Sequence, residues 1–494
     1  MAPCANVEEE TMTNLPQDFS DIDLSFTSSS ASTSSFATNF GGASSARSSI
    51  SLSLPSFSSS HSCVIKPLPH RRFDPHWSAL RATTNLSPDG SLHLHHFKLL
   101  RHLGTGNLAR VFHCRLRGVE DPSLDFALKV VDLDLAASSS RPSSSVEDDK
   151  LSHVRAEASV LASLDHPFLP TLYARLDASH YACFLIDYCS GGDLHSLLHR
   201  LPSHRLPLPA VRFYAAEVLL AVEYLHALGF VYRDLKPENV LLRADGHVML
   251  SDFDLCFQSH VSPTVHRIWR RRARSEELEF VAEPESAFSR SCVGTHEYLA
   301  PEIIGGGGHG NGVDWWAFGV FVYELLYGRT PFKGGSKQST LKNILAKELR
   351  FPDSSGGSSF AAARDLIRRL LARDPQQRLG AIKGAAEIKR HPFFSGVSWS
   401  LIRTMKPPVT VCLTGGAVLS LSKEKKRWWM TGTGLKWSSC TNNKIIQELR
   451  RRRVSLRRSS NWLPGSFDVR QNRIKSEGRA RQRTDCSILA CVCT

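Results

Sequence analysis

An α+β fold is predicted for the middle of this 494-residue chain, and three observations predict it. Phe97 to Leu100 is apolar in the manner of a strand, and the glycine-bearing turn Leu103-Gly104-Thr105-Gly106-Asn107-Leu108-Ala109-Arg110-Val111 follows it. Phe126-Ala127-Leu128-Lys129-Val130 reads as a second apolar strand with one lysine. Val154-Arg155-Ala156-Glu157-Ala158-Ser159-Val160-Leu161 offers, in Glu157, the best candidate for a helix partner of that lysine.

Taken in order, residues 1–95 come first and are dominated by serine, as in Ser28-Ser29-Ser30 and Ser58-Ser59-Ser60. Such a segment buries too little apolar surface to offset its chain entropy, so disorder is expected there. In the turn that follows, small residues let backbone N–H groups approach a phosphate, although a glycine pair in a turn is often structurally bland. Lys129 and Glu157, read singly, are an ordinary strand lysine and an ordinary surface glutamate. Their company changes that reading.

The chemistry is concentrated in Tyr232-Arg233-Asp234-Leu235-Lys236-Pro237-Glu238-Asn239 and in Ser251-Asp252-Phe253-Asp254. The first puts a candidate base (Asp234), a phosphate-facing cation (Lys236) and a metal-binding amide (Asn239) on one short loop. The second supplies a carboxylate, Asp252, for magnesium. Phosphoryl transfer needs positioning and charge neutralisation more than covalent chemistry, so these residue types in this order are what it requires. Lys129 then fits the residue that meets the α- and β-phosphates, and Glu157 is its best helix partner.

This ordered set resembles the protein kinases over Phe97 to about Phe394. Gly294-Thr295-His296-Glu297-Tyr298-Leu299-Ala300-Pro301-Glu302 is similar to the end of a kinase activation segment, and Asp314-Trp315-Trp316-Ala317-Phe318-Gly319 to the start of the large lobe's central helix. Arg378 stands where the partner of Glu302 is expected. The finer resemblance is to the plant AGC kinases of the PINOID/WAG group. Asp254 replaces the usual glycine, an insertion runs from about Cys256 to Arg290, and Asp165-His166-Pro167-Phe168-Leu169-Pro170-Thr171-Leu172-Tyr173 and Tyr188-Cys189-Ser190-Gly191-Gly192-Asp193-Leu194 match that group. Two departures stand out. Ala109 replaces the third loop glycine, a mild change, and Asp254 gives up glycine's access to positive φ.

The resemblance implies a bilobal protein kinase fold over residues 97–394, with a small antiparallel-sheet lobe bearing one main helix and a larger, mainly helical lobe. Residues 395–408 look like the start of an AGC-type extension. ATP and Mg²⁺ are the implied cofactors. Leu103, Gly104, Thr105, Gly106, Val111, Ala127, Lys129, Asp187, Cys189, Asp193 and Leu241 are expected around the nucleotide, and Asn239 and Asp252 on the metal. Asp234 is the expected base, with Lys236, Lys129 and Glu157 completing the catalytic set. Lys236, two residues past Asp234, matches serine/threonine kinases. Ser291, with Ser289 a weaker candidate, is the expected site at which an upstream kinase supplies an anion for Arg233. Glu238 and Glu324 resemble the carboxylates that capture arginine upstream of a target serine. By resemblance the substrates are auxin-efflux carriers.

Charge and composition bound the rest. Of the net charge of +14, residues 409–494 hold 18 Lys/Arg against 5 Asp/Glu, so the remaining chain is nearly neutral. Family resemblance stops at Pro408, and the tail is expected to be disordered, either a translated intron or alternative exon or a divergent functional tail. Nothing in it replaces the Phe-x-x-Phe-like motif of AGC kinases. Arg267-Ile268-Trp269-Arg270-Arg271-Arg272-Ala273-Arg274 suits contact with anionic lipid, and the bland reading is a solvated charge run. No sequence-specific nucleic-acid module is present, no apolar run could span a bilayer, and the twelve scattered cysteines suit a reducing compartment. A cytoplasmic monomer, peripheral at the plasma membrane, is expected, with nuclear residence the alternative. A pseudokinase scaffold or catalytically impaired splice form, binding nucleotide and membrane, is the rival reading.

Overall fold

The computed structural model describes residues 66–106, 109–133, 150–178, 181–270, 275–352, 360–408, 410–412 and 416–418. The disorder expected for residues 1–65, the arginines of 271–274 and the tail from 419 onward lie outside these.

Asp74 accepts the His76 N–H at 3.0 Å, and Pro75 brings a pre-set φ to the first helical position. Helix α1 (Pro75–Leu86) follows, and its Trp77 and Leu80, three residues apart, bury against Phe97, Leu116, Phe126 and Tyr173. Two such burials stabilise by about 2–3 kcal/mol each. The expectation of disorder to residue 95 is therefore corrected: from Lys66 on, the segment is structured. A serine-rich average hid one short amphipathic helix.

The small lobe is one antiparallel sheet in the order β1-β2-β3-β5-β4, made of β1 (Phe97–Thr105), β2 (Ala109–Leu116), β3 (Phe126–Asp132), β4 (Leu172–Ala178) and β5 (Tyr181–Asp187). The Gly106 N–H donates to the Ala109 carbonyl at 2.7 Å and closes the β1–β2 turn. Between β3 and β4 lies the lobe's main helix, α2 (Lys150–Ser163).

The larger part begins with α3 (Leu194–Arg200) and the long α4 (Leu208–Ala227). Two short ribbons follow. The strands β6 (Phe230–Val231) and β9 (Phe257–Gln258) pair with each other, as do β7 (Val240–Leu242) and β8 (Val248–Leu250). Register Val240↔Leu250 sets Asn239 beside Ser251, whose N–H and hydroxyl donate to the Asn239 carbonyl at 2.9 and 3.0 Å. The loop between these strands closes on itself, with the Arg243 N–H donating to the His247 carbonyl at 2.9 Å.

In the insertion, β10 (Thr264–Arg270) and β11 (Ser275–Val281) form an antiparallel hairpin from Thr264↔Val281 to Arg270↔Ser275. Helices α5 (Pro301–Gly305), α6 (Gly312–Tyr327), α7 (Lys337–Ala346), α8 (Ala361–Leu370) and α9 (Gly384–Lys389) complete the lobe. Helix α6 is apolar on every side and its Trp315, Trp316, Phe318 and Phe321 are fully buried, as a central helix requires. Gly319 lets it approach α8: a Cβ there would sit 2.8 Å from the Leu370 Cβ. The fold is the α+β, two-lobed one expected. In the tail, β12 (Thr410–Cys412) pairs antiparallel with β13 (Gly416–Val418), so the expected disorder does not extend to these six residues.

Candidate active site

Strand β3 and helix α2 bring Lys129 Nζ to 2.5 Å from Glu157 Oε1, and the same ammonium lies 3.1 Å from Asp252 Oδ1. Burial opposes the charge on Lys129, but Glu157 and Asp252 outweigh it and hold the lysine firmly protonated. Residues 129, 157 and 252, from three separate elements, thus meet at one point.

Asp234 is almost buried, at 6% exposure, and both its oxygens are engaged. Lys236 Nζ donates to Oδ2 at 2.6 Å and Asn239 Nδ2 at 3.0 Å; the Thr295 hydroxyl donates to Oδ1 at 2.8 Å. Asn239 Nδ2 also donates to the Asp234 carbonyl at 2.9 Å. Lys236 reaches Thr295 Oγ1 at 3.0 Å, so one contact network ties the loop to the end of the activation segment.

The backbone here is strained. Arg233 and Asp252 have φ of +67° and +61°, a region that side chains with a Cβ rarely adopt. Asp314 on α6 holds the first in place, accepting the N–H groups of Tyr232 at 2.8 Å and Arg233 at 2.7 Å. The conformational cost expected at Asp254 falls on Asp252 instead, since Asp254 keeps an ordinary φ. Burial and the nearby Asp252 push the Asp254 carboxyl up to about 7.

Behind Asp314 lies a fully buried histidine. His226 Nε2 is 2.8 Å from Asp314 Oδ2 and its Nδ1 is 2.6 Å from Glu283 Oε2, just past the insertion hairpin. Burial alone would lower its pKa; Glu283 and Asp314 reverse that and push it up to about 10, which makes it an imidazolium. His226, Glu283 and Thr295 were missed as site residues, and Asp314 was noticed only as part of a helix motif. Thr295 and Asp314 stood inside quoted motifs; nothing local marks the other two.

The expected nucleotide residues line up along the sheet and the connection below it. Leu103, Gly104 and Thr105 are on β1, Gly106 in the turn, Val111 opposite Gly104 on β2, and Ala127 on β3 opposite Ile186. Asp187 ends β5, Cys189 packs its sulfur 3.7 Å from that of Met249, and Asp193 and Leu241 are bridge partners. Asp193 also caps α3, its carboxylate accepting the Ser196 N–H at 2.6 Å. Arg233 Nη1 donates to Ser289 Oγ at 3.2 Å and its guanidinium lies 4.7 Å from the Phe257 ring centre; the Ser291 N–H donates to the same Ser289 oxygen at 3.2 Å. Glu324 accepts a hydrogen bond from the Tyr298 hydroxyl, and burial followed by Glu238 and Glu297 pushes its carboxyl up. Arg378 grips Glu302 with two bonds, of 2.6 and 2.9 Å.

Residues 97–394, which contain all of these groups, match the protein kinase domain family. The chain belongs to the protein kinase family. This kinase is 55% identical over 421 residues to the serine/threonine-protein kinase WAG1 of Arabidopsis thaliana, covering 78% of this chain and 85% of that one. It is equally similar to WAG2 of the same plant, and 50% identical over 380 residues to the protein kinase PINOID of Oryza sativa subsp. japonica, which covers 71% and 76% of the two chains. It is a serine/threonine kinase of the plant AGC type, PINOID/WAG group.

A kinase domain implies ATP and a divalent metal, and the donor set fits one. Asn239 spends its NH₂ on Asp234, which leaves the amide oxygen as its acceptor end. Asp252 engages Lys129 through one oxygen and its side chain is 43% exposed. Two oxygen donors, rather than a full cage, suit a Mg²⁺ that keeps waters and phosphate oxygens.

Proposed function

We propose that this kinase transfers the γ-phosphate of ATP to serine or threonine in arginine-directed protein substrates. The observation that carries the reading is the pairing of Lys129 with Glu157 and Asp252, and of Asp234 with Lys236, Asn239 and Thr295. Lys129 binds the α- and β-phosphates, and Glu157 keeps it aimed. Asp234 accepts the proton of the substrate hydroxyl, Lys236 steadies the phosphoryl group in flight, and Thr295 orients Asp234. Mg²⁺, held by Asn239 and Asp252, would neutralise phosphate charge when bound. Asp187 and Cys189 offer backbone groups to the adenine, and Asp193 its carboxylate to the ribose.

Glu238 and Glu324 support arginine recognition: Glu324 accepts from Tyr298 at the end of the activation segment, Glu238 is half exposed, and each carboxylate feels the other's field. Phosphorylation at Ser291 would give Arg233 an anionic partner and order the segment. Membership of the PINOID/WAG group is what suggests auxin-efflux carriers as substrates. The hairpin supports lipid contact: Arg267 is 75% exposed beside Leu278 and Phe280, exposed at 71 and 63%. Peripheral residence at the plasma membrane fits that. A scaffold without transfer is disfavoured, because every group that the chemistry needs is present and paired.

Peptide kinetics test this. Serine peptides with arginine two or three positions upstream should be preferred by the wild type. Glu324→Gln and Glu238→Gln should each raise the KM for them about tenfold and leave peptides with alanine there unchanged. Equal use of both peptides by the wild type would overturn the arginine-directed reading.

A further inference from the structure

Arg71 precedes Asp187 by 116 residues, yet its Nη2 donates to Asp187 Oδ1 at 2.6 Å, while Nη1 donates to Asp74 Oδ2 at 2.5 Å. Asp187 closes β5 and is followed by Tyr188 and Cys189, the connection to the large lobe. Its second oxygen accepts the Thr171 N–H at 2.7 Å, and the Tyr173 hydroxyl lies 3.3 Å from both Asp187 and Asp74. The side chains of Arg71, Asp74 and Asp187 are only 14, 7 and 9% exposed. Burial works against the charge on Arg71, but the carboxylates of Asp187 and Asp74 outweigh it and hold the guanidinium charged. Charge-assisted bonds away from water are strong and directional, so this cluster fixes the Asp187 side chain.

Arg71 is itself held from behind. Asp74 caps α1, the Trp77 indole N–H donates to the Arg71 carbonyl at 3.0 Å, and the neighbouring His70 pairs with Asp165 ahead of β4. The N-terminal segment is thus a brace that runs from a buried tryptophan to the lobe connection.

We infer that Arg71 is a positioning residue for the nucleotide, acting through Asp187 on the backbone of residues 187–189. The inference rests on the proposal that this backbone meets the adenine. Without Arg71, Asp187 keeps a nearly buried charge with only neutral partners, and it will turn toward water or toward the cleft. Either movement carries its backbone along.

The test uses the full chain with Arg71→Ala, Arg71→Lys and His70→Ala, reading the Kd for ATP by fluorescence titration beside steady-state kinetics. The Kd and KM for ATP should rise about five- to tenfold in Arg71→Ala, less than the full worth of a charge-assisted hydrogen bond because the effect is relayed through Asp187, with kcat and the peptide KM within about twofold. Arg71→Lys should recover part of the loss, because a single ammonium lacks the fork that serves both carboxylates. His70→Ala removes a side-chain contact of the same segment but keeps the backbone bond to Asp165 and the Arg71–Asp187 pair, so it should change the Kd for ATP by less than about twofold. A purely structural brace predicts lower thermal stability and a smaller active fraction at constant Kd for ATP, and that result overturns the inference. So does an equal rise in His70→Ala. Because the titration needs no turnover, it reads Arg71 even if the substrate assignment fails.

Discussion

The carboxylate of Asp314 and the backbone N–H of Arg233 lie 2.7 Å apart, and the same carboxylate takes the Tyr232 N–H at 2.8 Å. The loop that bears Asp234 therefore hangs from the most deeply buried helix of the large lobe, and the positive φ of Arg233 is held by these bonds rather than by its own preference. Asp314→Ala removes the anchor, deprives the Tyr232 and Arg233 N–H groups of their acceptor and leaves His226 with Glu283 as its remaining carboxylate. It should cost about 3–5 kcal/mol of stability in urea denaturation, at about 1–3 kcal/mol for each buried donor left unsatisfied. The kcat of the folded fraction should fall about a hundredfold, as expected when a reacting group shifts by about an ångström. The KM for ATP should change far less.

His226 gives the fold a pH dependence. Its pKa of about 10 lies above the ordinary 6.5, so its contribution to stability is fully present below about pH 6.5 and is lost as the pH rises through about 10. His226→Gln should be less stable than the wild type at pH 6.5 and approach it at pH 10. Urea midpoints at the two values check this; a constant difference would mean that the imidazole is not charged when buried.

Lys129→Met removes the cation that Glu157 and Asp252 share. Phosphate transfer should fall by about 10²–10³-fold, the usual cost of deleting one group that stabilises developing charge. Glu157→Gln, which retains an acceptor for the lysine, should lose less. Single-turnover transfer to a serine peptide separates the two.

Trp77→Ala tests the N-terminal helix. Deleting a fully buried tryptophan should cost about 3–5 kcal/mol and lower the melting temperature of the kinase domain. A disordered segment would show no change.

The site was legible where its chemistry is contiguous. Asp234, Lys236 and Asn239 share one loop, and a strand lysine followed by a helix glutamate reads in order. What could not be read is held together by distance in the chain. His226 meets Asp314 across 88 residues and Arg71 meets Asp187 across 116, and neither residue carries a local mark of its partner. The helix at Pro75–Leu86 was lost because composition averages over a window, while burial depends on two side chains on one face. The insertion read as a run of arginines, whereas its backbone is a hairpin whose pairing a charge count does not reveal.

The ribbon of β7 and β8 has one more implication. Asn239 precedes one arm and Asp252 follows the other, so the gap between the two residues expected on the metal is set by the five residues 243–247, none of which touches it. Adding or deleting one residue there would slip the pairing and turn a strand's side chains over. That turn acts as a gauge block for the chemistry, and its length is under the same constraint as the residues it spaces.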